Sequence, residues 1–116
     1  MYLDTPILET IKTMLSVDSD LDVFDQELLI LINTTFPALN QLGVETAKNF
    51  TIDRNSKWTD LIAVENLVSI QAYIFYKVKM IFDPPPTASL QSAYERMIAE
   101  TEWRLTLDAE KEANNG

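Results

Sequence analysis

The run Tyr73-Ile74-Phe75-Tyr76-Lys77-Val78-Lys79-Met80-Ile81-Phe82-Asp83-Pro84-Pro85 sets the fold class. It reads as the end of a buried, aromatic-rich helix, stopped by prolines. Traced back, apolar residues recur at helical spacing through Leu61, Ile62, Val64, Leu67, Val68 and Ile70, with neither Gly nor Pro before Asp83. One long helix is therefore expected, opening at Thr59 or Asp60. Pro84-Pro85-Pro86 forces an extended linker, because each proline disfavours helix in the residue before it. Thr87 is then a plausible cap for a return helix carrying Leu90, Ala93, Tyr94, Met97, Ile98, Thr101 and Leu105. That helix ends near Glu102-Trp103-Arg104-Leu105, with Trp103 expected half-buried and Glu100 placed to pair with Arg104.

Towards the N-terminus, Asp4-Thr5-Pro6 is a helix-start signal. Ile7, Leu8, Ile11, Met14 and Leu15 follow at helical spacing, and this first helix is expected to end near Ser16. An acidic loop then leads to a second helix, starting near Asp22 or Val23. Phe24, Leu28, Leu31, Ile32, Phe36 and Leu39 give it a wide apolar face. Pro37 cannot donate to the Asn33 carbonyl, so a kink or break is expected there. Gly43 is placed to cap the C-terminus. Residues 44–58 are irregular, with Phe50 and Ile52 alternating with polar residues, and Trp58 should pin their end to the core. The expected fold is all-α: a compact bundle of about four helices over 1–107, with a flexible acidic tail over 108–116.

Composition agrees and narrows the function. At 116 residues the chain is one domain, and two glycines are too few for a turn-rich sheet protein. The net charge of −9 would repel free nucleic acid and anionic membranes. No apolar run is long enough to cross a membrane, and no signal peptide is visible. With no cysteine and no histidine, the chain lacks thiolate metal sites and the usual neutral-pH base.

No constellation of catalytic residues emerges, so no enzyme activity and no cofactor are expected. Asp18, Asp20 and Asp22 have the spacing of a calcium loop's first ligands, but Val23 holds the required glycine position and Leu29 the closing glutamate. They read as a solvated loop that caps the second helix. Asp60 and Glu65 point in different directions on a helix and make no acid–base pair. Lys77 and Lys79 read either as snorkelling lysines or as contacts to an acidic neighbouring subunit. Tyr73, Phe75, Tyr76 and Phe82 lack the positive surroundings of a base-stacking platform and suit core or subunit packing. Asn33-Thr34-Thr35 and Asn49-Phe50-Thr51 match the glycosylation pattern only by chance.

Several pieces recur together. They are the acidic Val17-Asp18-Ser19-Asp20 linker, Leu39-Asn40-Gln41-Leu42-Gly43, Trp58-Thr59-Asp60-Leu61, Phe82-Asp83-Pro84-Pro85 and Glu102-Trp103-Arg104-Leu105. In order and spacing, from Thr5 to Leu107, the chain resembles the small head–tail connector (head completion, adaptor) proteins of long-tailed phages, of the HK97 and SPP1 type. The resemblance implies a non-enzymatic virion protein, assembled in the bacterial cytoplasm as a ring, commonly dodecameric. Such a ring docks on the portal, extends the DNA channel without binding DNA, and offers a platform to a stopper or tail adaptor. On that reading Phe24, Tyr73, Phe75, Tyr76, Lys77, Lys79, Phe82, Trp103 and Arg104 are candidate packing or subunit-interface residues. Phe50, Ile52 and Arg54 belong to a candidate channel-facing or neighbour-docking loop. Thr106, Leu107, Asp108 and Glu110 belong to a candidate portal-binding arm. The alternative is a small acidic helical regulator, encoded by a mobile element, that binds one protein partner.

Overall fold

The computed structural model describes residues 4–61 and 66–115. Five helices follow in chain order: α1 (Ile7–Met14), α2 (Asp25–Gln41), α3 (Trp58–Leu61), α4 (Leu67–Phe82) and α5 (Ala88–Asn115). A 3-10 turn, Glu45–Ala47, follows α2. The described residues contain no strand, only an isolated bridge between Pro6 and Lys57. The all-α bundle read from the periodicity is the fold observed.

α4 is the central element. Leu67, Ile70, Ile74 and Val78 recur at helical spacing and are buried with Leu28, Ile32, Phe36 and Leu39 of α2 and Ile7, Leu8 and Ile11 of α1. α5 packs back on α4 and buries Thr101 and Leu105. The elbow between them is the proline linker, where Pro85 is buried and its carbonyl accepts from Gln91 Nε2 at 2.9 Å. Thr87 caps α5 as expected, its Oγ1 accepting from Leu90 N at 3.1 Å.

Two helix starts and one helix interior differ from expectation. α1 begins with Pro6 in the capping position and no side-chain cap; the Ile7 amide donates instead to Ser56 O at 2.8 Å. A tertiary contact therefore does what Asp4 or Thr5 was expected to do. α2 begins at Asp25, with Phe24 in the capping position, and no carboxylate of the acidic loop caps it. α2 also passes through Pro37 unbroken in span. Proline inside a helix costs about 3 kcal/mol. Phe36 and Leu39, both wholly buried on either side of Pro37, supply burial of the same order.

The expected third helix is two pieces. α3 is one turn, with Asp60 Oδ2 accepting from the Lys57 amide at 2.8 Å, and α4 starts only at Leu67. Ile62, Val64 and Glu65, which were read into one continuous helix, lie outside the described residues.

The C-terminus of α2 closes as a Schellman motif. Val44 N donates to Leu39 O at 3.0 Å, Gly43 N donates to Asn40 O at 3.0 Å, and Gly43 takes φ +107°. Leu39 and Val44 are buried, giving the hydrophobic contact that accompanies this motif. A Cβ on Gly43 would overlap the Cβ of Ala109, so the last turns of α5 lie directly against the end of α2. The expected tail from Asp108 is therefore helix, continuous to Asn115. Ala109, Glu110, Lys111 and Glu112 are strong helix formers, and the Ala109–Gly43 contact holds them against the body.

Candidate interaction surfaces

Residues 18–24 form the first surface, and a buried cation shapes it. Lys12 is on α1 and 1% exposed. Its Nζ donates to Leu21 O at 2.8 Å and Ser19 O at 3.2 Å, and lies 2.9 Å from Asp25 Oδ1. Arg54 Nη1 holds the other oxygen, Asp25 Oδ2, at 3.1 Å. The Lys12–Asp25 approach is an ion contact; the directed hydrogen bonds of Lys12 go to the two carbonyls. Burying such a pair is expensive unless its polar atoms are satisfied, and the loop carbonyls supply part of that. The loop is wound around an ammonium group, with its side chains turned outward. Val23 is 69% exposed, and Leu21 and Phe24 are also exposed. Sequence reading missed this network, although a lysine amid the apolar positions of a short helix was its signal.

Phe24 meets Phe82 edge-on at 5.3 Å between ring centroids, which sets this loop at the C-terminal end of α4. Lys79, one turn earlier, is paired with Asp83 at 2.9 Å. The other aromatics read from the sequence separate into two groups. Tyr73 is a core residue whose hydroxyl donates to Glu102 Oε2 at 3.2 Å, and Lys77 Nζ sits 5.8 Å from its ring. Burial first, and the Glu102 charge second, push the Tyr73 phenol up to about 12. Phe75 and Tyr76 are half-buried and cluster with Tyr94 of α5, Tyr76 to Tyr94 being 5.3 Å edge-on. These residues join α4 to α5 within the chain.

The 44–57 loop is fastened to the body rather than free. The Asn33 side chain pairs with Ile52 as a neighbouring strand would: Ile52 N donates to Oδ1 at 2.8 Å, and Nδ2 donates to Ile52 O at 3.3 Å. Phe50 packs edge-on against Phe36 at 4.9 Å, and Ile52 is buried. Both were read as candidates to face a channel or neighbour, and both face inward. Their alternation with polar residues marked a segment with one buried face, and Asn33 replaces the missing strand. Only Arg54 of the three stays open to solvent, and it reaches back to Asp25. At the loop tip the Asp53 carboxylate accepts from Asn55 N at 2.9 Å and Ser56 Oγ at 3.1 Å, which hold its pKa below the usual value. Trp58 pins the end of the loop as expected, buried and with Nε1 donating to Thr10 Oγ1 at 2.9 Å.

The last surface is the C-terminal half of α5 beside the first turns of α4. Ser69, Trp103, Arg104, Leu107, Asp108 and Lys111 line a shallow groove there. Trp103 is 62% exposed, which corrects the expectation of a half-buried tryptophan. The reason is rotation: Thr101 and Leu105 face the core, and two residues along a helix is about 200° of turn. Val68, next to Ser69, is 76% exposed. Arg104 pairs with Glu100 at 3.0 Å, as its spacing suggested. Thr106, Leu107 and Asp108 are half-buried and Glu110 is exposed, all within α5.

A family model described as phage connector protein matches residues 7–112. The chain belongs to this phage connector family. The match begins at the first residue of α1 and runs beyond Leu107 to Glu112, within α5. No curated protein and no solved structure matches the chain. Among the described residues the connector exposes Leu21 and Val23 near the C-terminal end of α4, and Val68 and Trp103 near its N-terminal end, on an acidic helical body. No described helix is long and apolar enough to cross a membrane.

Proposed function

We propose that this connector is a structural virion protein that assembles as a ring on the portal, at the head–tail interface. The ring extends the DNA channel and gives the next neck protein, a stopper or tail adaptor, a surface to bind. The observation that carries this reading is the amount of large apolar surface left uncovered on so small a subunit. Leu21, Val23, Ile30, Val68, Ile81 and Trp103 are all more than 40% exposed. Singly exposed hydrophobics are ordinary, but this many on a chain of 116 residues favours association. The net charge of −9 suits a channel wall that lets DNA pass without holding it. In this reading the portal contact is the end of α5, where Glu110 and Glu112 are exposed on an already formed helix.

The test is to mix the purified connector with the portal ring of its own phage, measuring mass in solution and imaging the mixture by negative stain. Annular density stacked on the portal is expected. A folded connector that leaves the portal unaltered in mass and shape would overturn the proposal and move the weight to a regulator of some other protein.

A further inference from the structure

Asp25 joins two loops that are far apart in sequence. It is the first residue of α2, 4% exposed, and takes one cation on each carboxylate oxygen. Lys12 Nζ lies 2.9 Å from Oδ1, and Arg54 Nη1, from the 44–57 loop, donates to Oδ2 at 3.1 Å. The two cations are not equivalent. Lys12 is buried and its directed hydrogen bonds go to Ser19 O and Leu21 O, so Asp25 Oδ1 is buried without a directed hydrogen bond. The Arg54 side chain is 57% exposed. Among the described residues, the hydrogen bond that the Asp25 carboxylate does accept therefore comes from the surface.

We propose that Arg54 is a surface latch on the 18–24 loop, acting through Asp25 and Lys12. With Arg54 on Oδ2, the carboxylate is held and the Lys12 ammonium is left to the loop carbonyls. Without Arg54, a buried carboxylate would have no hydrogen bond at all, which costs more than leaving a loop carbonyl to water. The ammonium then turns to Asp25, and its longer bond, to Ser19 O at 3.2 Å, is lost first. The loop is exposed from Asp18 to Phe24, so its carbonyls find water in exchange, whereas the Asp25 carboxylate is closed off from it. The loop therefore loosens around Leu21 and Val23, its exposed aliphatic residues. Arg54 is a positioning residue in this scheme, and the scheme holds whether or not the chain assembles as a ring.

Hydrogen exchange resolved amide by amide tests this on the folded chain. The reporters are Leu21 N, bonded to Asp18 O at 3.0 Å, and Asp25 N, bonded to Asp22 O at 3.1 Å. Arg54→Met keeps an apolar stem and removes the cation. It should speed exchange at both reporters about two- to fivefold, the range of one exposed ion pair, with Gly43 N at the far end of α2 unchanged. Arg54→Lys, which keeps a cation and a donor, should restore most of the protection. In an Asp25→Asn background, where no carboxylate draws Lys12, Arg54→Met should add nothing. Faster exchange at Ser56 in the 44–57 loop, with both reporters at the wild-type rate, would overturn the latch. So would equal acceleration by Arg54→Met and Arg54→Lys, or the same added acceleration in the Asp25→Asn background, since either would make Arg54 a packing residue only.

Discussion

Gly43→Ala should destabilise the connector by about 2–5 kcal/mol, through two separable effects. At φ +107° an L-residue is strained, for which about 1–2 kcal/mol is a fair figure. The new Cβ would also overlap Ala109, and forcing an extra methyl into a filled space costs about 1–3 kcal/mol. Urea unfolding followed by tryptophan fluorescence reads the total. Ala109→Gly separates the effects. Alone it should cost about 1 kcal/mol, the helix preference of alanine over glycine. In the Gly43→Ala background it also removes the overlap, so the double variant should be more stable than the sum of the singles predicts, by about 1–3 kcal/mol. Penalties that add to within about 0.5 kcal/mol would show that the end of α5 does not rest on Gly43, and would refute the ordered C-terminus.

Other substitutions test the remaining assignments. Trp103→Ala should change stability by less than about 0.5 kcal/mol, while Trp58→Ala should cost about 3–5 kcal/mol, both read by urea titration; equal losses would contradict the assignment of Trp103 to a solvent-facing surface. Asp25→Ala leaves Lys12 buried without its counter-ion and should cost about 3–5 kcal/mol, with the 18–24 loop becoming susceptible to limited proteolysis. In a spectrophotometric titration Tyr73 should ionise near 12, later than an ordinary tyrosine. Since the unfolded chain would lose that proton near 10, stability should fall as pH rises from about 10 through about 12 and be unaffected by this group below that range.

Much of this architecture is legible in the sequence because period and punctuation agree. The apolar spacing of α4, the three prolines, the Thr87 cap and the Gly43 stop each rest on local chemistry, and each holds. Expectations failed where a distant partner decides. Asn33 and Ile52 are 19 residues apart, and their pairing turns a presumed open loop inward. Ser56 starts α1 from the far side of the chain. Core burial carries α2 through Pro37. Trp103 was misread because an indole near a buried leucine suggests core, whereas its angular position places it outside. Lys12 lay within the apolar pattern of α1, and only the fold shows that it organises the 18–24 loop. The surfaces were thus named in part by the sequence, but which side chains face outward is set by tertiary contacts.

The proposed place of this chain is a ring between portal and tail. Cryo-electron microscopy of the intact phage neck, reconstructed without imposed symmetry, tests it most directly. A ring against the portal whose repeating unit accepts the five helices is expected. A neck in which no ring density accepts this fold, in virions shown by mass spectrometry to lack the chain, would contradict it.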